Sequence, residues 1–294
     1  MTSTHMEPAG SRSVATANAG RRRLPGVLLA GMTAVISGMA VFVNSYGVHA
    51  VRDPAVYTTA KNATAALILV AGLGVLRARR RRVTAGAPPS NWLGDRSLTV
   101  GSLGHWLSLV YVGVVGGGVA FVLFFVGLAH TSAEPAAFLH DTLVVWVAVL
   151  ALPFLSERLS PWNIAAVVLL VAGQTAVVGG VGHLVVGQGQ LLVLAATLLW
   201  AVETVLAKRL LSTVTPSALG TFRMAVGAVV LVGYVAATGH AGNLVDLDGK
   251  QLGWVLLTGV LLAGYVASWM LALARARAVD VTSVLAASVI LTAL

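Results

Sequence analysis

Two stretches of the chain decide the fold: "PAVYTTAKNATA" (Pro54 to Ala65) and "PSALGTFRMAVG" (Pro216 to Gly227). Each begins with a proline, and seven residues later comes a cation, Lys61 in the first and Arg223 in the second. Both cations interrupt apolar stretches, where a charge is costly. The repetition of so unusual a pattern indicates two copies of one structural unit.

The composition is typical of a membrane protein. Of the 294 residues, 57% are hydrophobic and only 10% are charged, whereas a soluble domain carries about 25% charged residues. Cysteine is absent, which excludes disulfides and thiolate metal sites, and the seven histidines show no paired ligand spacing. The phosphate-binding glycine loop of ATPases is also missing. We predict a polytopic membrane protein without cofactor or metal.

Nine apolar segments follow a basic tail, residues 1–23, which has little to bury and is predicted to be disordered. Most segments are about 20 residues long, the length that a helix needs to cross a bilayer. They lack the two-residue alternation of barrel strands, so they are predicted to be helices. The predicted helices cover residues 24–46, 55–76, 105–128, 133–155, 161–181, 189–207, 217–238, 252–274 and 280–294.

The basic residues predict the orientation of these helices. With the N-terminus in the cytoplasm, 15 of the 19 Lys and Arg residues fall on the inner side, and only Arg52 and Lys250 fall outside. Lys61 and Arg223 lie within the membrane and complete the total. The positive-inside rule therefore predicts a multi-pass plasma-membrane protein with a cytoplasmic N-terminus. It also accounts for the net charge of +9 without a nucleic-acid partner.

The repeat is predicted to be inverted. Residues 26–65 align with residues 189–227, and "GLAHTSAEPAAFL" (127–139) aligns with "ALARARAVDVTSV" (272–284). Because five helices separate the starts of the two copies, the copies have opposite orientations in the bilayer. The expected fold is an all-α inverted repeat of two five-helix halves, residues 24–183 and 184–294, with about nine helices present.

Several motifs carry a resemblance to a known family. "LLWAVETVLAKRLL" (198–211) and "FLSERLSPWNIAAVVLLVAGQ" (154–174) are similar to segments of EamA-type members of the drug/metabolite transporter superfamily. The resemblance covers about residues 24–294 and implies ten helices in two halves that move small metabolites or drugs. It implies a transporter and not an enzyme.

The chain departs from this family pattern in three ways. Ser156 stands where the family usually has glycine before Glu157, and Val144 and Val289 replace prolines common in the fourth and ninth helices. The chain also stops at Leu294 inside an apolar run, without a tenth helix. We expect a truncated product, since the repeat is otherwise regular.

Five polar residues within the predicted helices are candidates for gating or coupling. Glu203 and Arg223 should lie about 8 and 10 Å from the inner surface, so they can form an ion pair. Lys61 and Asp141 should lie about 10 and 9 Å from the outer surface and form a second pair. Alternatively, the pairs merely join helices, or the long cations extend toward the interface. His140 could carry a proton or simply pack.

Four aromatic residues near the predicted midplane are candidates for the substrate site: Trp146, Trp200, Tyr265 and Trp269. Aromatic walls with few polar groups suit an amphipathic small molecule, although tryptophans also fill membrane cores. The segment "GVVGGG" (Gly113 to Gly118) predicts close helix packing and not phosphate binding.

The preferred function is therefore a secondary transporter that works by alternating access, exporting amino-acid-like metabolites or drugs. A receptor or assembly protein without transport activity is an alternative. A membrane-embedded transferase is another, but it would need a catalytic pair near an interface. The predicted partners are a small-molecule substrate and the lipid bilayer, and we leave a homodimer open.

Overall fold

The computed structural model describes residues 9–51, 53–83, 102–177 and 187–286, and these contain helices but no strand. A short 3₁₀ turn, Ala241–Leu244, lies between the eighth and ninth helices. The helices are α1 (Ala9–Val51), α2 (Pro54–Val83), α3 (Leu103–Ala129), α4 (Ala133–Asp141), α5 (Leu143–Leu155), α6 (Pro161–Val177), α7 (Gln188–Leu210), α8 (Pro216–Ala237), α9 (Gly249–Arg275) and α10 (Ala278–Ala286).

In this part of the chain, seven spans are long and apolar enough to cross a membrane, with α4 and α5 together forming the span Pro135–Leu155. The predicted polytopic helical fold is confirmed. Its outer surface is apolar as a bilayer requires, with Leu67, Leu169 and Val229 all about 70% exposed. The predicted fifth and ninth helices are described as far as Val177 and Ala286, and their remaining residues lie outside the described part.

The N-terminal segment differs from the predicted disordered tail. Helix α1 begins at Ala9 and continues through Pro25 into the apolar span, while residues 1–8 lie outside the described part. Once a helix is nucleated, each added residue gains a backbone hydrogen bond. Alanine and arginine are strong helix formers, so the apolar helix extends backward through the basic segment.

The helices pack in pairs that reflect the repeat. Helix α1 of the first half packs along α9 of the second, and α7 of the second half packs along α3 of the first. In the middle α2 packs against α8, and at one side α5 packs against α10. If each helix is exchanged for its counterpart in the other half, the pair α1–α9 becomes α7–α3, while the pairs α2–α8 and α5–α10 become themselves. The bundle is therefore organised about an internal two-fold relation, as an inverted repeat requires.

Helix α3 contacts α8 through glycines. Its middle part, Tyr111–Val119, is π-helical. A Cβ on Gly117 would collide with the carbonyl oxygen of Arg223, and a Cβ on Gly227 would collide with the backbone of Gly117. The two backbones thus touch directly, which confirms the close packing predicted for Gly113 to Gly118.

The backbone conformation at Ser156 explains why the family usually has glycine at this position. It ends α5 with φ 52°, in the left-handed region, where a Cβ is strained. The departure from the family pattern therefore preserves the turn at a cost in backbone energy of about 1–2 kcal/mol.

Candidate functional site: a cavity between the two repeats

A cavity of about 120 Å³ lies in the centre of the bundle, lined by residues of both repeats. Helices α1, α2 and α3 of the first repeat and α7, α8 and α9 of the second all contribute side chains. Both of the cations that mark the repeat, Lys61 and Arg223, reach this space. The pseudo-symmetric positions of the two halves therefore converge on one site.

Arg223 and Glu203 form a buried ion pair at the cavity wall. Nη2 of Arg223 donates to Oε2 of Glu203 at 3.0 Å, and Nε donates to Oε1. The two side chains are only 8% and 5% exposed. The bidentate geometry uses both carboxylate oxygens and confirms the pairing predicted from their depths.

The π-helical segment of α3 holds this pair. The carbonyl oxygen of Gly116 accepts hydrogen bonds from Nη2 of Arg223 at 3.1 Å and from Nε1 of Trp200 at 3.0 Å. Gly116 also gives Glu203 room, because a Cβ there would collide with the carboxylate. A glycine in a widened helical turn thus supplies both an acceptor and space.

The predicted pair of Lys61 with Asp141 is wrong. Lys61 is 2% exposed, and its Nζ donates to Oδ1 of Asn44 at 3.1 Å. Nζ also lies 3.7 Å from the ring centre of Phe125, a cation–π contact. In the described part of the chain, no carboxylate pairs with it. The prediction used only the depth of Lys61 and Asp141 in the membrane. Depth does not determine in which direction around its helix each side chain points.

Aromatic rings form most of the remaining wall. Phe121 and Phe124 of α3 each pack against Trp200 of α7, with ring centres 5.2 and 5.4 Å from that of the tryptophan. On α9 the rings of Tyr265 and Trp269 stack with centres 6.0 Å apart. The ring of Phe121 is within 6 Å of both Nζ of Lys61 and Cζ of Arg223. One phenylalanine therefore links the two cations.

The predicted substrate residues divide into two groups. Trp200, Tyr265 and Trp269 line the cavity, as does His140, whose ring contacts Phe124 and Trp200. Nδ1 of His140 is buried and has no hydrogen-bond partner in the described residues. Trp146 does not line the cavity; its Nε1 donates to Thr142 on its own span. Asp141 is also absent from the lining, because adjacent residues of a helix point about 100° apart around its axis.

Sequence reasoning missed the phenylalanines of α3 and the role of Asn44. Phe121, Phe124 and Phe125 have the spacing of one helical face, and this pattern was visible in the sequence. Asn44 was not among the predicted site residues, yet its Oδ1 accepts hydrogen bonds from both Tyr57 and Lys61. Only the crossing of α1 and α2 brings these groups together.

A polar network joins the repeats at the end of the bundle that is predicted to be cytoplasmic. The carboxylate of Glu157 accepts hydrogen bonds from the backbone N–H groups of Ala278 and Val279, at 2.8 and 3.1 Å, and so caps α10 of the other repeat. Arg277 donates to Asp280 and to the carbonyl oxygen of Arg158. The hydrogen bond with Asp280 holds the pKa of Arg277 above its ordinary value.

A second link joins the repeats at the opposite end. Nδ1 of His240, which follows α8, lies 2.8 Å from Oδ2 of Asp53, which precedes α2. Oδ1 of Asp53 also caps α2 by accepting from the N–H groups of Ala55 and Val56. The central cavity thus lies between two sets of contacts that tie one half to the other.

A larger groove of about 770 Å³ lies between α2, α8 and α9, but its lining is mainly apolar. It shares Val266 with the central cavity. In the ranges that the structure describes, no group of three or more His, Cys, Asp or Glu residues could hold a metal ion. Convergent polar groups and aromatic walls therefore favour the smaller, central cavity as the binding site.

Comparisons with known proteins agree with this architecture. The model of the EamA-like transporter family matches residues 24–179 and 187–294, as two successive segments. A crystal structure of a protein has the same fold, with a TM-score of 0.63 and 16% sequence identity over 92% of this chain and 86% of that one. No curated protein matches the chain.

Proposed function

Because the chain belongs to the EamA-like transporter family, we propose that it is a secondary transporter that carries a small metabolite or drug through the central cavity by alternating access. The family's members are membrane transporters and not enzymes, so the chain is a membrane transporter. The central cavity between the two inverted repeats carries the proposal, since both marker cations reach it.

Alternating access requires that the halves move against each other around a fixed site. The contacts that would change are those between repeats: the Glu157 cap on α10 at one end and the His240–Asp53 contact at the other. Breaking one set while keeping the other would open the cavity to one side only. The two-fold packing of α1 with α9 and of α3 with α7 supports such a rocking motion.

The polar residues of the cavity are the proposed gate and coupling groups. Lys61, Glu203, Arg223 and His140 all line it. Asp141 lies on the same span as His140 and outside the lining, so any part it plays acts through neighbouring groups. The proposed substrate wall consists of Trp200, Tyr265 and Trp269.

The proposed direction of transport rests on the family resemblance, and the proposed orientation rests on the distribution of Lys and Arg. We propose export of amino-acid-like metabolites or drugs across the plasma membrane, with the N-terminus in the cytoplasm, as the excess of positive charge on one side predicts. The chain lacks cysteine, so single-cysteine variants report orientation directly. Asp246→Cys should react with an impermeant maleimide in intact cells, whereas Thr213→Cys should react only after permeabilisation. The reverse pattern would overturn the orientation.

Counterflow in proteoliposomes tests the function itself. The panel contains amino acids, aromatic acids, nucleosides and cationic dyes, each with and without a pH gradient. Saturable exchange of at least one compound, absent from empty liposomes and lost in Arg223→Met protein of normal abundance, would support a transporter. Saturable binding without flux for every compound would instead indicate a receptor.

A further inference from the structure

We propose that the cavity takes a small monocarboxylate with an aromatic or otherwise apolar body, and that the carboxylate binds the ammonium of Lys61. This assignment rests on the proposed transport function and narrows the substrates proposed there to acids that carry no ammonium group. It follows from the lack of an ionic partner for Lys61, the lack of an unpaired carboxylate among the described lining residues, and the chemistry and size of the wall.

Lys61 supplies the anion subsite. Its ammonium carries three N–H donors, and Asn44 is its hydrogen-bond partner in the described part of the chain. Neighbouring rings, led by Phe125 at 3.7 Å, partly offset the cost of burying the charge. A neutral amide and aromatic faces cannot neutralise the charge as a carboxylate would. An anionic ligand group in the cavity would complete the pair for which the described part of the chain provides no carboxylate.

The other charged residues of the lining leave no place for a ligand cation. Both oxygens of Glu203 accept from Arg223, so this carboxylate is occupied and its pair is neutral. Glu203 is the only carboxylate in the cavity lining that the structure describes. With Lys61 protonated, Lys61 and Arg223 against Glu203 give the described lining one net positive charge, which favours an anion over a zwitterion or a cation.

The rest of the cavity fits an apolar body. The rings of Phe121, Phe124, Trp200 and Trp269 provide faces for stacking. The volume of about 120 Å³ is near the about 150 Å³ of a cavity known to hold benzene. The best fit is one ring with one carboxylate.

Binding of four matched probes to purified protein tests the assignment: benzoate, neutral benzamide, cationic benzylamine and zwitterionic phenylalanine. The quenching of tryptophan fluorescence reports occupancy, since Trp200 and Trp269 line the cavity. We expect benzoate to bind about 10-fold to 100-fold more tightly than benzamide, the range for a hydrogen bond to a charged group. Benzylamine and phenylalanine should bind more weakly than benzoate.

Substitutions of Lys61 and Lys250 test whether Lys61 is the residue that binds the carboxylate. Lys61→Met should reduce benzoate affinity to that of benzamide, and Lys61→Arg should retain the preference for the acid. Lys250→Met, at an exposed lysine in the first turn of α9, is the matched control and should change nothing. Thermal unfolding of each variant distinguishes a lost contact from a lost fold. Equal binding of benzoate to wild type and Lys61→Met, or tighter binding of benzylamine or phenylalanine, would overturn the proposal.

The same protein in proteoliposomes separates the two proposals. Lys61-dependent benzoate binding without counterflow of any compound would retain the anion subsite and refute the transporter. Counterflow of some other compound, with no Lys61-dependent preference for acids, would retain the transporter and refute the substrate class.

Discussion

Replacing Glu203 with glutamine tests whether the buried ion pair stabilises the bundle and takes part in transport. The substitution keeps the size of the side chain and removes its charge, so Arg223 is left buried and uncompensated at 8% exposure. Removing one partner of such a pair costs about 3–5 kcal/mol. Because a membrane-protein fold of this size has only about 5–15 kcal/mol of net stability by the usual range, the loss should be large.

The companion variant Arg223→Met leaves the carboxylate of Glu203 uncompensated and should cost a similar amount. In the double variant neither charge of the Glu203–Arg223 pair remains. The glutamine amide can then donate to the carbonyl oxygen of Gly116, to which Arg223 no longer donates. We therefore expect the double variant to lose less than about 2 kcal/mol. The sum of the two single losses in unfolding free energy should then exceed the loss in the double variant by at least about 4 kcal/mol.

Reversible unfolding in mixed micelles, followed by circular dichroism, measures these free energies. Asp246→Asn, at an exposed loop position, is the control and should stay within about 0.5 kcal/mol of wild type. Additivity of the single effects within about 0.5 kcal/mol would refute the mutual pairing. Counterflow measures the functional effect. A stable double variant that still transports would show that the ion pair merely joins the helices, whereas a stable double variant that does not transport would indicate that the pair takes part in gating.

Three further substitutions test local features of the fold. Gly116→Ala should lower the unfolding free energy by about 1–3 kcal/mol, because the added methyl group pushes against Glu203. Gly31→Ala, at a site with open space, should be neutral or stabilising, and equal effects of the two substitutions would contradict the close approach of Gly116 to Glu203. Ser156→Gly should raise the unfolding free energy by up to about 1 kcal/mol, because glycine tolerates the left-handed backbone, and a lower melting temperature would count against this. Glu157→Gln should weaken the cap on α10 by about 1 kcal/mol and increase maleimide labelling of a cysteine placed at that end; unchanged labelling would argue against a closing contact.

The fold was largely predictable because membrane insertion constrains sequence strongly. The apolar segments gave the spans to within a few residues, and the spacing of proline and cation in 54–65 and 216–227 revealed the repeat. The extension of α1 to Ala9 was not predicted, since a basic segment resembles a disordered one until a neighbouring helix nucleates it.

The site was predictable only in part. Depth along each helix correctly paired Glu203 with Arg223, because both lie on adjacent helices of one repeat. The same argument failed for Lys61 and Asp141, since depth gives no rotation about the helix axis. Trp146 was likewise at a suitable depth but lies outside the cavity lining.

The sequence by itself determined that this protein is a helical membrane bundle built from two inverted halves, because hydrocarbon tolerates only long apolar helices and makes each buried cation conspicuous. Beyond the pair of Glu203 with Arg223, only the tertiary structure decided which groups contact those cations. Arg223 finds Glu203 and a carbonyl of the π-helical segment, while Lys61 finds an amide and three phenyl or phenol rings. Those partners depend on helix rotation and crossing, which are set by glycine contacts and ring packing between segments far apart in the chain.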